Sequence, residues 1–84
     1  MTYAVSILRG AQKNLNVLTA PDQERVIAAI RKLAVNPRPA GVKKLVGREA
    51  WRIRIGDYRV IYEINDNELT VLVVDFGHRR EIYR

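Results

Sequence analysis

The sequence contains no cysteine and a single histidine among its 84 residues. The lack of cysteine excludes disulfide frameworks, thiolate zinc sites and thiol nucleophiles. One histidine cannot by itself form a histidine-based metal site. No apolar run approaches the 18 residues that span a membrane, and the first residues (MTYAVSILRGAQKN) lack the apolar core of a signal peptide. We therefore expect a cytoplasmic protein that does not span a membrane and that holds no metal or other cofactor.

The chain is short but rich enough in apolar residues to fold. It has a mass of 9.7 kDa and is 48% hydrophobic. A chain of this length supports one core and not two. The sequence therefore predicts one domain that spans residues 1–84.

Positive charge is the most unusual feature of the composition. Fifteen lysines and arginines face nine acidic residues, which gives a net charge of +6 and a pI near 10.2. Seven of the basic residues and only two acidic ones lie between positions 38 and 59. Such an excess favours a polyanionic partner: nucleic acid first, an acidic protein second and a membrane surface third.

The first half of the chain predicts a strand and two helices. Residues Tyr3–Leu8 are β-prone and short. Apolar residues at helical spacing predict a first helix over Arg9–Leu18 and a second one that starts near Pro21 and carries its stripe to Ala34. The proline-rich segment 36–41 ends the second helix. The short break between the helices predicts a helical hairpin.

The second half of the chain predicts strands. Ala50–Ile55 and Tyr58–Ile64 alternate between apolar and polar residues, whereas Leu69–Phe76 is apolar on both sides, as a covered central strand is. We expect Gly77 to break that strand before a short charged end. The sequence thus predicts an α+β fold, an antiparallel sheet of about four strands packed against an N-terminal helical hairpin in the order β-α-α-β-β-β.

The Gly56-Asp57 turn fixes the pairing of the two strands beside it. A two-residue turn places four pairs opposite one another: Ile55 and Tyr58, Arg54 and Arg59, Ile53 and Val60, Trp51 and Tyr62. Arg52, Arg54 and Arg59 then share the sheet side away from the helices.

The pairing of Arg54 with Arg59 is unfavourable by itself. Two unit charges about 6 Å apart repel by roughly 1–3 kcal/mol, depending on how much water surrounds them. An anionic ligand would relieve this repulsion, which favours a phosphate site. The alternative is a solvated outer face, on which Lys43, Lys44 and His78 are also ordinary surface residues.

Two segments resemble the RelE/ParE superfamily of bacterial toxins, and the RelE branch most closely. They are WRIRIGDYRVIYEI at 51–64 and VDFGHRREIYR at 74–84. The resemblance implies a ribosome-dependent mRNA interferase of a type II toxin–antitoxin system. Members of that branch cleave mRNA in the ribosomal A site without metal, by attack of the RNA 2′-hydroxyl on the adjacent phosphate. It also implies a RelB-like antitoxin, and contact with operator DNA only through the toxin–antitoxin complex.

The resemblance also implies roles for individual residues. Arg52 and Arg54 would hold the scissile phosphate, and Arg59 would stabilise the transition state. Arg79 would assist the leaving group, and Tyr83 would orient or deprotonate the nucleophile. Four further basic residues would contact the RNA backbone: Lys43, Lys44, Arg48 and Arg80.

One difference from the best-known members concerns the general base. They carry lysines where this chain has Arg52 and Arg54, and an arginine remains protonated at any relevant pH. The base role therefore moves to Tyr83 or His78, and the sequence leaves both open.

Two other functions remain possible from the sequence. A ParE-like toxin that inhibits DNA gyrase has the same fold and needs no nuclease residues. A non-catalytic nucleic-acid-binding module would use the same positive charge, with steep salt dependence and no strand scission.

Overall fold

The apolar stripes of the first half form two helices on one side of a sheet. In the computed structural model, which describes residues 2–78, helix α1 covers Arg9–Asn16 and helix α2 covers Ala20–Lys32. The Thr19 side chain accepts a hydrogen bond from the backbone N–H of Asp22 at 3.4 Å and caps α2. Both helices end two residues before their apolar stripes do. The N–H groups of Leu18 and Ala34 instead bond to carbonyls three residues back, which tightens the last turn.

The five strands form one sheet in the order β1-β5-β4-β3-β2. Their bounds are Ala4–Ile7 for β1, Lys43–Lys44 for β2, Trp51–Ile55 for β3, Tyr58–Asn65 for β4 and Thr70–His78 for β5. The α+β class and the order of helices and strands along the chain are confirmed.

The expectation of a purely antiparallel sheet of about four strands needs two corrections. Strand β1 runs parallel to β5, with Ala4 opposite Thr70. The two helices that follow β1 in the sequence form the long connection that a parallel pair requires. The pair Lys43–Lys44 adds a fifth, two-residue strand against β3.

The predicted break at Gly77 is also wrong. Gly77 lies inside β5, opposite Arg59, and the strand continues to His78 opposite Tyr58. Pairing with the long strand β4 thus outweighs the weak strand preference of one glycine.

The core lies between the helices and the sheet. It contains these buried residues: Ala11, Leu15, Val26, Ile30, Leu33, Ile53, Val60, Tyr62, Val71, Val73 and Phe76. Tyr62 is fully buried, and its hydroxyl donates a 2.7 Å hydrogen bond to the carbonyl oxygen of Pro37. Burial raises the pKa of Tyr62 to about 12, so the hydroxyl remains a donor at neutral pH.

A cluster of exposed polar side chains joins four segments that are distant in the sequence. The carboxylate of Asp66 accepts hydrogen bonds from Arg38 Nη2 at 2.9 Å and from the Tyr3 hydroxyl at 2.7 Å. These two bonds lower the pKa of Asp66, with Arg38 the larger cause. The Arg38 guanidinium also lies 5.0 Å from the ring centroid of Trp51. The cluster therefore fixes the segment after α2 to β1, β3 and the β4–β5 turn.

We predict that Tyr62→Phe destabilises the fold by about 1–3 kcal/mol, because it leaves the buried carbonyl of Pro37 without its donor. Urea unfolding would measure the change, with Tyr3→Phe as a control that removes an exposed hydroxyl instead. Equal unfolding free energies for Tyr62→Phe and the native chain would contradict the role given to this hydrogen bond.

Candidate nucleic-acid interface

The β3–β4 hairpin holds three arginines on the sheet side that faces away from the helices. All four predicted pairs are present, including Arg54 opposite Arg59. Gly56 adopts a φ of 61°, a left-handed conformation that glycine tolerates best, in the turn between the strands. Because side chains alternate along a strand, Arg52, Arg54 and Arg59 emerge on one side, called the arginine face below.

Two of these three arginines are buried. Arg52 and Arg59 each expose only 7% of their surface, whereas Arg54 is exposed. This burial is unlike a solvated outer face, because arginine is rarely buried to this extent. Their guanidinium groups remain charged in the protein. A lower local dielectric strengthens their attraction for an anion that reaches them.

The two predicted phosphate-binding lysines point to opposite sides of the sheet. Lys43 pairs with Arg52 and therefore extends the arginine face. Lys44 pairs with Trp51 on the other side, where its Nζ lies 3.3 Å from Glu49 Oε2 and 5.8 Å from the Trp51 ring centroid. The structure thus brings Lys43, and not Lys44, to the arginines.

Strand β5 contributes two residues to this side that sequence reasoning did not select. Gly77 lies opposite Arg59 and presents no side chain there, and Asp75 lies opposite Ile61. The Asp75 carboxylate accepts a 2.9 Å hydrogen bond from the backbone N–H of Phe76. The turn at Gly56 aligns only β3 with β4, and a register shift between Ile61 and Tyr62 displaces β5, so counting residues could not find them.

His78 lies on the helix side of the sheet. It is paired with Tyr58, and the two rings meet edge to face with centroids 6.1 Å apart. Tyr58 also stacks on Phe76 at 5.5 Å. Burial, followed by the nearby Asp22, raises the pKa of Tyr58. The structure therefore places His78 across the sheet from the arginine face.

The remaining predicted residues lie elsewhere. Arg48 is exposed in the loop before β3. Arg79, Arg80 and Tyr83 lie outside the described residues. Within residues 2–78, no group of three or more His, Cys, Asp or Glu side chains could hold a metal ion. Neither α1 nor α2 is long and apolar enough to cross a membrane.

Comparison with known proteins identifies the family. The family model described as the ParE toxin of the type II toxin–antitoxin system parDE matches residues 4–83. The chain belongs to the RelE/ParE toxin superfamily. The resemblance found in the two sequence segments is thereby confirmed at the level of the superfamily.

Individual relatives extend this match over the whole chain. Toxin RelG of Mycobacterium tuberculosis is 32% identical over an alignment of 90 residues. The alignment covers 100% of this chain and 99% of the relative. The RelE–RelB complex from Pyrococcus horikoshii gives a TM-score of 0.85 at 31% identity, over 96% of this chain and 99% of that one. The RelBE2 toxin–antitoxin complex of M. tuberculosis gives 0.81 at 27% identity, over 94% and 100%. This RelE/ParE toxin therefore shares the RelE fold.

We predict that Arg54→Gln stabilises this toxin by about 0.2–1 kcal/mol at low salt, because it removes a like-charge pair across the hairpin. The gain should shrink as salt screens the exposed charge. Thermal unfolding at two salt concentrations would test this, with the exposed Arg31→Gln on α2 as the matched control. A loss of stability for Arg54→Gln at low salt would contradict the repulsion between Arg54 and Arg59.

Proposed function

We propose that this toxin is a metal-independent endoribonuclease that cleaves mRNA in the ribosomal A site and so inhibits translation. The observation that carries the proposal is the arginine face, where a rigid hairpin gathers three permanent positive charges and buries two of them. A pentacoordinate phosphate carries more negative charge than its ground state, and preorganised cations stabilise that difference. Such an enzyme would act in the cytoplasm, where the ribosomes are.

The reaction follows from the chemistry of RNA. The 2′-oxygen attacks the adjacent phosphorus, and the bond from phosphorus to the 5′-oxygen breaks. The products are a 2′,3′-cyclic phosphate and a 5′-hydroxyl end. Arg52 and Arg54 hold the phosphate, Arg59 stabilises the extra charge, and Arg79 assists protonation of the 5′-oxygen. A base must take the proton from the 2′-hydroxyl, and no arginine can do so.

We propose Tyr83 as that base. The other candidate base, His78, lies beside Tyr58 on the helix side of the sheet. The sheet therefore separates its ring from the arginine face, which supports the choice of Tyr83. In the sequence Tyr83 lies close to Arg79, Arg80 and Arg84, and positive charges near a phenol favour its anionic form.

A RelB-like antitoxin is the proposed protein partner. The solved complexes from P. horikoshii and M. tuberculosis pair their toxins with antitoxins. The charge of this chain supports the same arrangement, because an acidic segment of a partner would complement the basic stretch 38–59. Any contact with operator DNA would then occur through the complex.

Inhibition of DNA gyrase is the second candidate. It is favoured by the description of the matching family model, which names a ParE toxin. A gyrase inhibitor would not require three arginines gathered on one side of a hairpin, two of them buried, so the arginine face supports the nuclease.

We predict that Arg59→Ala lowers the rate of mRNA cleavage on programmed ribosomes by about 10²–10³, the range for loss of one preorganised transition-state donor. Primer extension on the cleaved message would measure the rate, and Arg31→Ala on α2 serves as the surface control. Unchanged cleavage by Arg59→Ala would overturn the assignment. Inhibition of gyrase supercoiling by the native chain, without cleavage, would establish the second candidate.

We also predict that Tyr83→Phe loses most of the cleavage activity, whereas His78→Gln retains it. The phenol is the proposed proton acceptor, and the imidazole lies across the sheet. Single-turnover rates as a function of pH would compare the two variants. The reverse pattern, with His78→Gln inactive and Tyr83→Phe active, would assign the base to the histidine.

A further inference from the structure

A cavity of about 490 Å³ lies beyond the arginine face, toward the β4–β5 turn. Its size falls within the range of small-molecule sites. The lining comes from the loop before β3, from β4 and from β5: Arg48, Glu49, Glu63, Ile64, Asn65, Thr70 and Leu72. Alternation along β4 places Glu63 on the same sheet side as Arg59. The cavity and the arginine face therefore lie on the same side of the sheet.

The spacing along β4 suits a nucleic-acid strand. Glu63 follows Arg59 by four residues, which corresponds to about 13 Å along an extended strand. Stacked nucleotides advance about 3.4 Å each along a strand, so this distance covers about four of them or fewer extended ones. A strand whose phosphate is held at Arg59 thus reaches the cavity within a few nucleotides.

The charge of Glu63 determines which part of a nucleotide fits. Its side chain is exposed, and a carboxylate repels phosphate but accepts hydrogen bonds from the amino groups of bases. The other carboxylate of the lining, Glu49, is already bound to Lys44 at 3.3 Å. The side-chain oxygen of Asn65 accepts a 2.9 Å hydrogen bond from the backbone N–H of Glu68. Of the two carboxylates in the lining, Glu63 is therefore the one without a lysine or arginine partner among residues 2–78.

Two further lining residues suit the flat faces of a base. Leu72 is half-buried opposite Glu63 and offers an apolar surface beside the carboxylate. Arg48 is exposed, and a guanidinium plane stacks on bases or pairs with a phosphate.

We propose that this cavity binds a nucleobase of the RNA strand held by the arginine face, and that Glu63 selects bases that carry an exocyclic amino group. Adenine, cytosine and guanine present such a donor, whereas uracil has no amino group and flanks its N3–H with two carbonyl oxygens that repel the carboxylate. The proposal rests on the proposed function and adds a specificity-determining residue to it.

Titration with CMP and UMP, followed by amide NMR shifts, tests base binding without any cleavage step. The two nucleotides share sugar and phosphate and differ in the group at C4 and in N3, which is an acceptor in cytosine and an N–H donor in uracil. We expect CMP to shift the amides of Glu63, Thr70 and Leu72 and to bind about tenfold more tightly than UMP. Glu63→Gln should abolish this preference, because a carboxamide serves either base, while Glu24→Gln on α2 should retain it.

Three results would overturn the proposal. They are equal binding of CMP and UMP, shifts confined to the arginine face with both nucleotides, and a response of Glu63 to trilysine but not to CMP. The last result would mean that the cavity receives a basic protein segment.

On ribosomes, Glu63→Gln should add cleavage sites with uracil at the recognised position. If the native chain cleaves normally while CMP and UMP bind equally, only the cavity assignment fails. If the native chain does not cleave, the proposed function fails whatever the titration shows.

Discussion

The register of the β3–β4 hairpin is the constraint on which both sides of the sheet depend. A shift of either strand by one residue would turn its apolar residue, Ile53 in β3 or Val60 in β4, outward and bring its arginines toward the core. The turn leaves little freedom for such a shift. Gly56 has a positive φ, and a Cβ atom there would come within 3.2 Å of Arg25 Nη2. Core packing and the arginine face are therefore two results of one alignment.

Local patterns predict this alignment well because a two-residue turn and strict alternation determine it. The residue pairs between β3 and β4 follow from residues 51–62 alone. The parallel pairing of β1 with β5 and the register shift at Ile61 could not, because both arise from packing between segments far apart in sequence. For the same reason adjacent Lys43 and Lys44 looked equivalent in the sequence, although their short strand turns them to opposite sides.

Burial is the property of the site that the sequence could not show. Arg52, Arg54 and Arg59 have the same side chain and similar surroundings in the sequence, yet only Arg54 is exposed. Pattern reasoning assigned all three to one side without ranking them. RelE/ParE toxins share one fold, so the fold alone does not identify the chemistry. The burial of Arg52 and Arg59 is a property of the site itself and therefore bears on the chemistry directly.

The parallel pair of β1 and β5 bears on how the protein folds. Residues 4 and 70 are neighbours in the sheet, so β1 cannot pair until β5 is present. Contacts between such distant residues slow folding, because a long loop must close before they form. A chain still under synthesis holds β3 and β4 without the strand that flanks them. The edge of β4 that β5 covers therefore stays open until residues 70–78 have been made and can pair with it.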